Sequence, residues 1–227
     1  GCGASGDVFD VVQLYKGCDF KEALSFLKSF SGNGQKPETR PVAKKIPARK
    51  TTIDLKALND HYVKTFSSSK KARDYLSSRG LSDLRILNDF SVGFADGSIL
   101  KMISENQKES LIDLGIITDK GKEALSGSIT VPLFDEKNII VGFYGRSISD
   151  TTPVHRYLKG GHKGLMNRKA VSVYRDEIIV SESVIDALSL ITLGFQNVIP
   201  CYGVNGFTQL HEKLFTDERV KQVVIAF

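Results

Sequence analysis

The stretch Glu177-Ile-Ile-Val-Ser-Glu-Ser-Val-Ile-Asp186 limits the folds open to this chain more than any other. Ile178, Ile179 and Val180 are consecutive and β-branched, as suits a strand buried on both faces. Val184 to Leu193 is apolar on most faces and stops at Gly194, so it reads as a helix ending on its C-terminal glycine. The order then repeats: Asn197-Val-Ile-Pro-Cys201, a Gly203-Val-Asn-Gly206 turn, a helix-like Phe207 to Phe215, and Val223-Val-Ile-Ala-Phe227. Strands alternating with short helices imply a parallel sheet, and such sheets take ligands at the carboxyl ends of their strands. Glu182 stands at that end, with Asp186 one helical turn on. From these residues alone, a single Glu after a strand usually means no more than a carboxylate capping the next helix.

The chain has 227 residues, 41% apolar and 25% charged, which gives room for one or two domains with a proper core. No apolar run is long enough for a membrane span, so a membrane partner is not expected. Three scattered cysteines make no disulfide framework and point to a reducing cytoplasm. The first residue is Gly rather than Met, which reads as a piece of a longer protein. The net charge of +5 admits an acidic partner. Between Lys36 and Lys50 six basic residues stand against Glu38, with Pro37, Pro41 and Pro47 among them: a linker, either touching phosphates or simply solvated. No phosphate-binding Gly-x-x-x-x-Gly-Lys-Ser/Thr loop occurs, which argues against a motor. His61, His155, His162 and His211 lack metal or triad spacing and are assigned surface or capping roles.

Upstream, Leu55, Leu58, Tyr62 and Phe66 fall at helical spacing, the serines at 67 to 69 break the run, and a second helix follows to Gly80. Ile99 to Leu114 reads as one or two helices. Ser128 to Phe134, a turn at Asp135 to Asn138, and Ile139 to Arg146 alternate as a β-hairpin. This is either a plain antiparallel pair or one in which Gly142 and Gly145 admit a ligand and Arg146 offers donors to phosphate. Cys2, taken alone, is one thiol, and a structural zinc needs four ligands.

These segments resemble a known family. Glu182 with Asp186, and Ile199-Pro-Cys-Tyr-Gly203, are similar to the first two motifs of the TOPRIM domain, with Ser183 in place of the usual Gly. Tyr75-Leu-Ser-Ser-Arg-Gly-Leu-Ser82 followed by Phe90-Ser-Val-Gly-Phe94 resembles the start of the bacterial primase core, as do Gly142-Phe-Tyr-Gly-Arg146 and Arg156-Tyr-Leu158. Cys2-Gly-Ala-Ser-Gly-Asp7 with the two helix-like segments after it resembles the end of a primase zinc-binding domain. Ser128 and the stretch after Leu158 depart from the family pattern, which leaves a phage or mobile-element primase as open as a chromosomal one.

The resemblance implies an α/β chain: a zinc-ribbon remnant over 1–33, a basic linker over 34–52, an α+β primase-core subdomain over 53–172, and the first part of a TOPRIM parallel βαβ sheet over 173–227. It implies catalytic roles for Glu182 and Asp186, with Glu182 either holding Mg²⁺ or Mn²⁺ or acting as general base at the 3′-hydroxyl, Asp186 orienting the site or its helix N-terminus rather than binding metal, and Cys2 as one Zn²⁺ ligand whose companions lie upstream. Arg146 first, then Arg156, with Tyr157, Lys159 and Lys163, would contact template or nucleotide. The implied activity is synthesis of short RNA primers from ribonucleoside triphosphates on single-stranded DNA, with a replicative helicase as a further partner. The family's Asp-x-Asp metal pair would fall after Phe227, so these 227 residues alone are expected to be inactive. The alternatives are another TOPRIM enzyme, a topoisomerase or nuclease, and a non-catalytic single-strand-binding module. Cys18 and Cys201 are assigned to ordinary packing.

Overall fold

A computed structural model describes residues 8–30, 54–149, 153–159, 163–203 and 206–227, and the chain divides into two compact units, 1–48 and 49–227. Cys2 and the basic linker lie outside the described residues. In the first unit, α1 (Val8–Lys16) and α2 (Phe20–Phe30) form a helical pair. Ala23 is fully buried, and the rings of Phe9 and Phe20 meet at 5.2 Å. Asp19 accepts from the Glu22 N–H while Glu22 accepts from the Asp19 N–H, so both ends of the first turn of α2 are tied.

In the second unit, α3 (Leu55–Ser68) and α4 (Lys70–Ser78) meet at Ser69, whose N–H caps the end of α3 while its hydroxyl accepts from the Ala72 N–H. One serine thus explains the break in the apolar spacing. Helix α5 (Leu84–Asp89) is capped by Asp83, a helix the sequence did not announce. The strand that follows it is β1 (Gly93–Ala95). A 3₁₀ turn (Ser98–Lys101) and α6 (Glu105–Asp113) occupy the stretch expected to be one or two helices.

Strands β1, β2 (Ser128–Phe134), β3 (Ile140–Ser147) and β4 (His155–Tyr157) form an antiparallel sheet in that order. Helix α3 lies so close to β1 that a Cβ on Gly93 would stand 2.5 Å from the Tyr62 Cβ, so only glycine fits there. Helix α7 (Arg168–Val173) leads into β5 (Ile178–Ser181), α8 (Val184–Thr192), β6 (Val198–Pro200), α9 (Gln209–Asp217) and β7 (Val223–Ala226). These strands form the expected parallel sheet, with β5 between β6 and β7.

The two sheets share one apolar core. Leu76, Val131 and Tyr144 from the first half pack in the same cluster as Ile178, Leu188, Ile199 and Tyr202. A smaller cluster, with Leu58, Tyr62, Leu125 and Phe143, fills the other side of the antiparallel sheet. Among the described residues no helix is long and apolar enough to cross a membrane.

Glu123, 5% exposed, sits among this second cluster's elements, and burial pushes its carboxyl above the usual carboxylate range. A raised folded-state value contributes stability at acid pH that is lost as pH rises through it. Glu123→Gln stays neutral throughout. Its melting temperature should therefore exceed that of the native chain by about 2–4 °C at pH 8, the gap closing toward pH 4; thermal melts across that range check it.

Candidate active site at the carboxyl end of the central parallel strand

Strand β5 is pinned on both sides, Ile179 opposite Val198 and Val224, so the residue after Ser181 emerges at the carboxyl edge of the sheet. That residue is Glu182. Its carbonyl accepts from the Gly203 N–H at 2.6 Å and from the Cys201 thiol at 3.8 Å, which fixes its backbone against the end of β6. Burial raises the Cys201 thiol above its ordinary value, in keeping with a packed sulfur. The Glu182 side chain is half-buried, and no hydrogen bond to its carboxylate is formed among the described residues.

The helix after it is capped by Ser183, not by Glu182. The Ser183 hydroxyl accepts from the Asp186 N–H at 3.4 Å and donates to Asp186 Oδ2 at 2.6 Å, while the Ser183 N–H donates to the same oxygen at 3.1 Å. One oxygen of Asp186 is thereby committed to the N-terminus of α8, and Glu182 is left to other chemistry.

Glu182, Ser183, Asp186 and Gly203 line one wall of a cleft of about 230 Å³ whose remaining lining includes Arg79, Arg146 and His155. Arg146 reaches it from β3. Its Nε donates to the Tyr75 hydroxyl at 3.0 Å, and a terminal nitrogen lies 2.9 Å from His155 Nε2. The Tyr75 ring also carries the Arg79 guanidinium, 5.5 Å from its centroid. Burial and the Arg146 charge hold His155 below the ordinary imidazole value, against the opposing pull of Asp186 and Glu182.

The register of β3 with β4 separates the other expected residues. Arg146 pairs with His155 and Tyr144 with Tyr157, so these four share a face, whereas Arg156 pairs with Gly145 on the reverse face. There the Arg156 guanidinium donates to the Ser126 carbonyl at 2.9 Å and to the Pro153 carbonyl at 3.4 Å, so Arg156 does not join Arg146 in the cleft. Gly145 likewise serves packing: an added Cβ would sit 2.9 Å from Leu125. Tyr157 points inward, its ring at 5.6 Å from Tyr144 and 5.9 Å from Tyr202, with its hydroxyl donating to the Tyr202 carbonyl. Lys159 and Lys163 are exposed and line a separate narrow crevice with Leu114, Leu133 and Phe143. Ser128 is fully buried in β2, so the departure from the family pattern at that position falls in the sheet interior. His211 is also buried, its Nε2 on the Pro200 carbonyl at 3.0 Å and its Nδ1 accepting from the Thr208 N–H, a capping role.

The cleft therefore unites Glu182, Asp186 and Arg146 and adds Arg79 and His155, with Tyr75 holding both arginines from behind. Arg79 was legible in one respect, since it lies four residues after Tyr75 on α4, one helical turn away. Among the described residues no three His, Cys, Asp or Glu side chains gather into a metal cage. Glu182 fits a divalent ion of the kind that takes one or two carboxylates and completes its shell with water and phosphate.

The cleft thus sets a half-buried carboxylate, at the end of a parallel strand where such sheets commonly take ligands, in one lining with the guanidinium groups of Arg146 and Arg79. Residues 61–175 match the family described as DNA primase catalytic core, N-terminal domain, and residues 179–227 match the Toprim-like family. The first match spans just over half of the chain, which belongs to the DNA primase catalytic core family. The DNA primase of Thermotoga maritima is 29% identical over 227 residues, covering 90% of this chain and 39% of that protein. The chain thus spans about two fifths of the length of this relative. A DNA primase domain from Pseudomonas aeruginosa superposes with a TM-score of 0.66 at 25% identity, over 76% of this chain and 60% of that one. A DnaG primase catalytic domain bound to single-stranded DNA has the same fold, with a TM-score of 0.63 at 24% identity over 75% of this chain and 60% of that one.

The capping box predicts its own test. Ser183→Ala should cost about 1 kcal/mol of stability in urea unfolding and leave Asp186 held only by the backbone N–H of residue 183; an unchanged midpoint would mean that the hydroxyl does not stabilise the helix end.

Proposed function

We propose that this chain provides the carboxylate and phosphate-binding wall of a DNA primase, which joins ribonucleoside triphosphates into short primers on single-stranded DNA with release of pyrophosphate. The observation that carries the reading is the Glu182 carboxylate at the end of β5, without a hydrogen-bond partner among the described residues, in one cleft with Arg146 and Arg79. Phosphoryl transfer demands positioning and neutralisation of charge more than covalent help. In this reading Arg146 and Arg79 hold and neutralise phosphate oxygens, and Glu182 anchors a divalent cation, Mg²⁺ or Mn²⁺. Once bound, that cation would supply Lewis-acid stabilisation of the phosphate charge. Asp186 acts on the site by keeping the first turn of α8, and with it Glu182, in place.

The template reading draws on the DnaG catalytic domain solved with single-stranded DNA. Zn²⁺ at Cys2, in company with ligands outside this sequence, and a replicative helicase partner belong to the same proposal. A topoisomerase or nuclease reading gains nothing from residues 61–175, whose match is to the primase core.

Primer synthesis with labelled ribonucleotides, assayed on the protein that carries this chain, tests the proposal. Glu182→Gln should reduce synthesis by at least about 100-fold while single-strand binding changes little. Full activity in the variant would take the catalytic carboxylate away from Glu182, and loss of DNA binding with activity would make Glu182 a structural residue.

A further inference from the structure

His155 stands in the cleft without a role in the reading above, and its hydrogen bonds are specific. An arginine side chain has only donors. The contact at 2.9 Å between an Arg146 terminal nitrogen and His155 Nε2 therefore makes Nε2 the acceptor and places the ring proton on Nδ1. That proton faces the hydroxyl of Tyr144, 3.0 Å away. Tyr144 is fully buried, and its ring is held by Tyr157, so the hydroxyl is a fixed point of the core. On its other side, Arg146 Nε is held by Tyr75, a residue on α4. The guanidinium is thus gripped at two of its three nitrogens by groups from two different elements, with the Tyr144 hydroxyl also close to it, and it lines the cleft it shares with Glu182.

We propose that His155 is a positioning residue for phosphate binding: as an Nδ1–H imidazole braced on Tyr144, it holds the Arg146 guanidinium open toward the Glu182 wall and pre-set for the polyphosphate of a nucleotide. This deepens the proposed function and rests on Arg146 being a phosphate ligand. The physical reason for the device is entropy. A free arginine loses rotamer freedom on binding, and a planar fork already held in place loses less for each bond it forms. Without the imidazole, Arg146 can turn across the cleft toward the carboxylates of Glu182 and Asp186, and a self-paired arginine no longer meets the ligand.

The test is a double-mutant cycle read by calorimetric binding of inorganic tripolyphosphate to the full 227-residue chain, with thermal melts beside it. Arg146→Gln should weaken binding. His155→Leu should weaken it about fivefold, the worth of one net hydrogen bond, and should add nothing further in the Arg146→Gln background. His155→Gln, which restores an acceptor near the Nε2 position, should recover most of the loss with Arg146 present. Additive losses, a His155→Gln as weak as His155→Leu, or a His155→Leu that binds normally while Arg146→Gln does not, each overturns the role of His155 and leaves the proposed function standing. Normal binding by Arg146→Gln would sink the reading beneath it as well.

Discussion

The site depends on a seam of tyrosines that locks the antiparallel sheet to the parallel one. Tyr144 on β3, Tyr157 on β4 and Tyr202 after β6 pack edge to face in sequence, and the Tyr157 hydroxyl donates to the Tyr202 carbonyl. Tyr202 accepts from the Met166 N–H at 2.8 Å and so ties in the segment that leads to α7. Edge-to-face pairs each add roughly 0.5–1.5 kcal/mol beyond the area they bury. Their larger consequence is geometric. Arg146 and Glu182 come from different sheets, and the seam fixes the distance across which they can share a ligand.

That arrangement makes sense of polar residues that would otherwise look expendable. Asp186 spends its carboxylate on the helix end, which keeps β5 and α8 meeting at a sharp corner and leaves Glu182 projecting into the cleft. Tyr75 serves twice, accepting from Arg146 through its hydroxyl and carrying Arg79 on its ring. Positive charge is thereby concentrated opposite a carboxylate without the two neutralising each other in a direct pair among the described residues. A divalent ion and a polyphosphate would bring matched charges of both signs to such a site.

The parallel half was legible in the sequence because its signals are local: β-branched runs, glycine stops and ten-residue helices define β5, α8 and β6 almost to the residue. The Ser69 break and the hairpin of β2 and β3 were legible for the same reason. The membership of the cleft was less so. Whether Arg146 or Arg156 faces Glu182 depends on the pairing of β3 with β4, and a shift of one residue would exchange their faces. That register is a matter of tertiary pairing that no run of residues announces. His155 was assigned a surface or capping role; it is exposed but hydrogen-bonded to Arg146 and Tyr144, partners on a neighbouring strand that could not be read from spacing. Whether Glu182 caps the helix turned on the next residue, since Ser183 supplies the cap.

Diffraction from crystals of this chain soaked with Mn²⁺ and a ribonucleoside triphosphate would locate metal and phosphate relative to Glu182 and Arg146. The account predicts an anomalous peak within about 2.2 Å of the Glu182 carboxylate, and phosphate oxygens hydrogen-bonded to Arg146 across the same cleft. Manganese bound without Glu182, or a triphosphate seated away from Arg146, would contradict it.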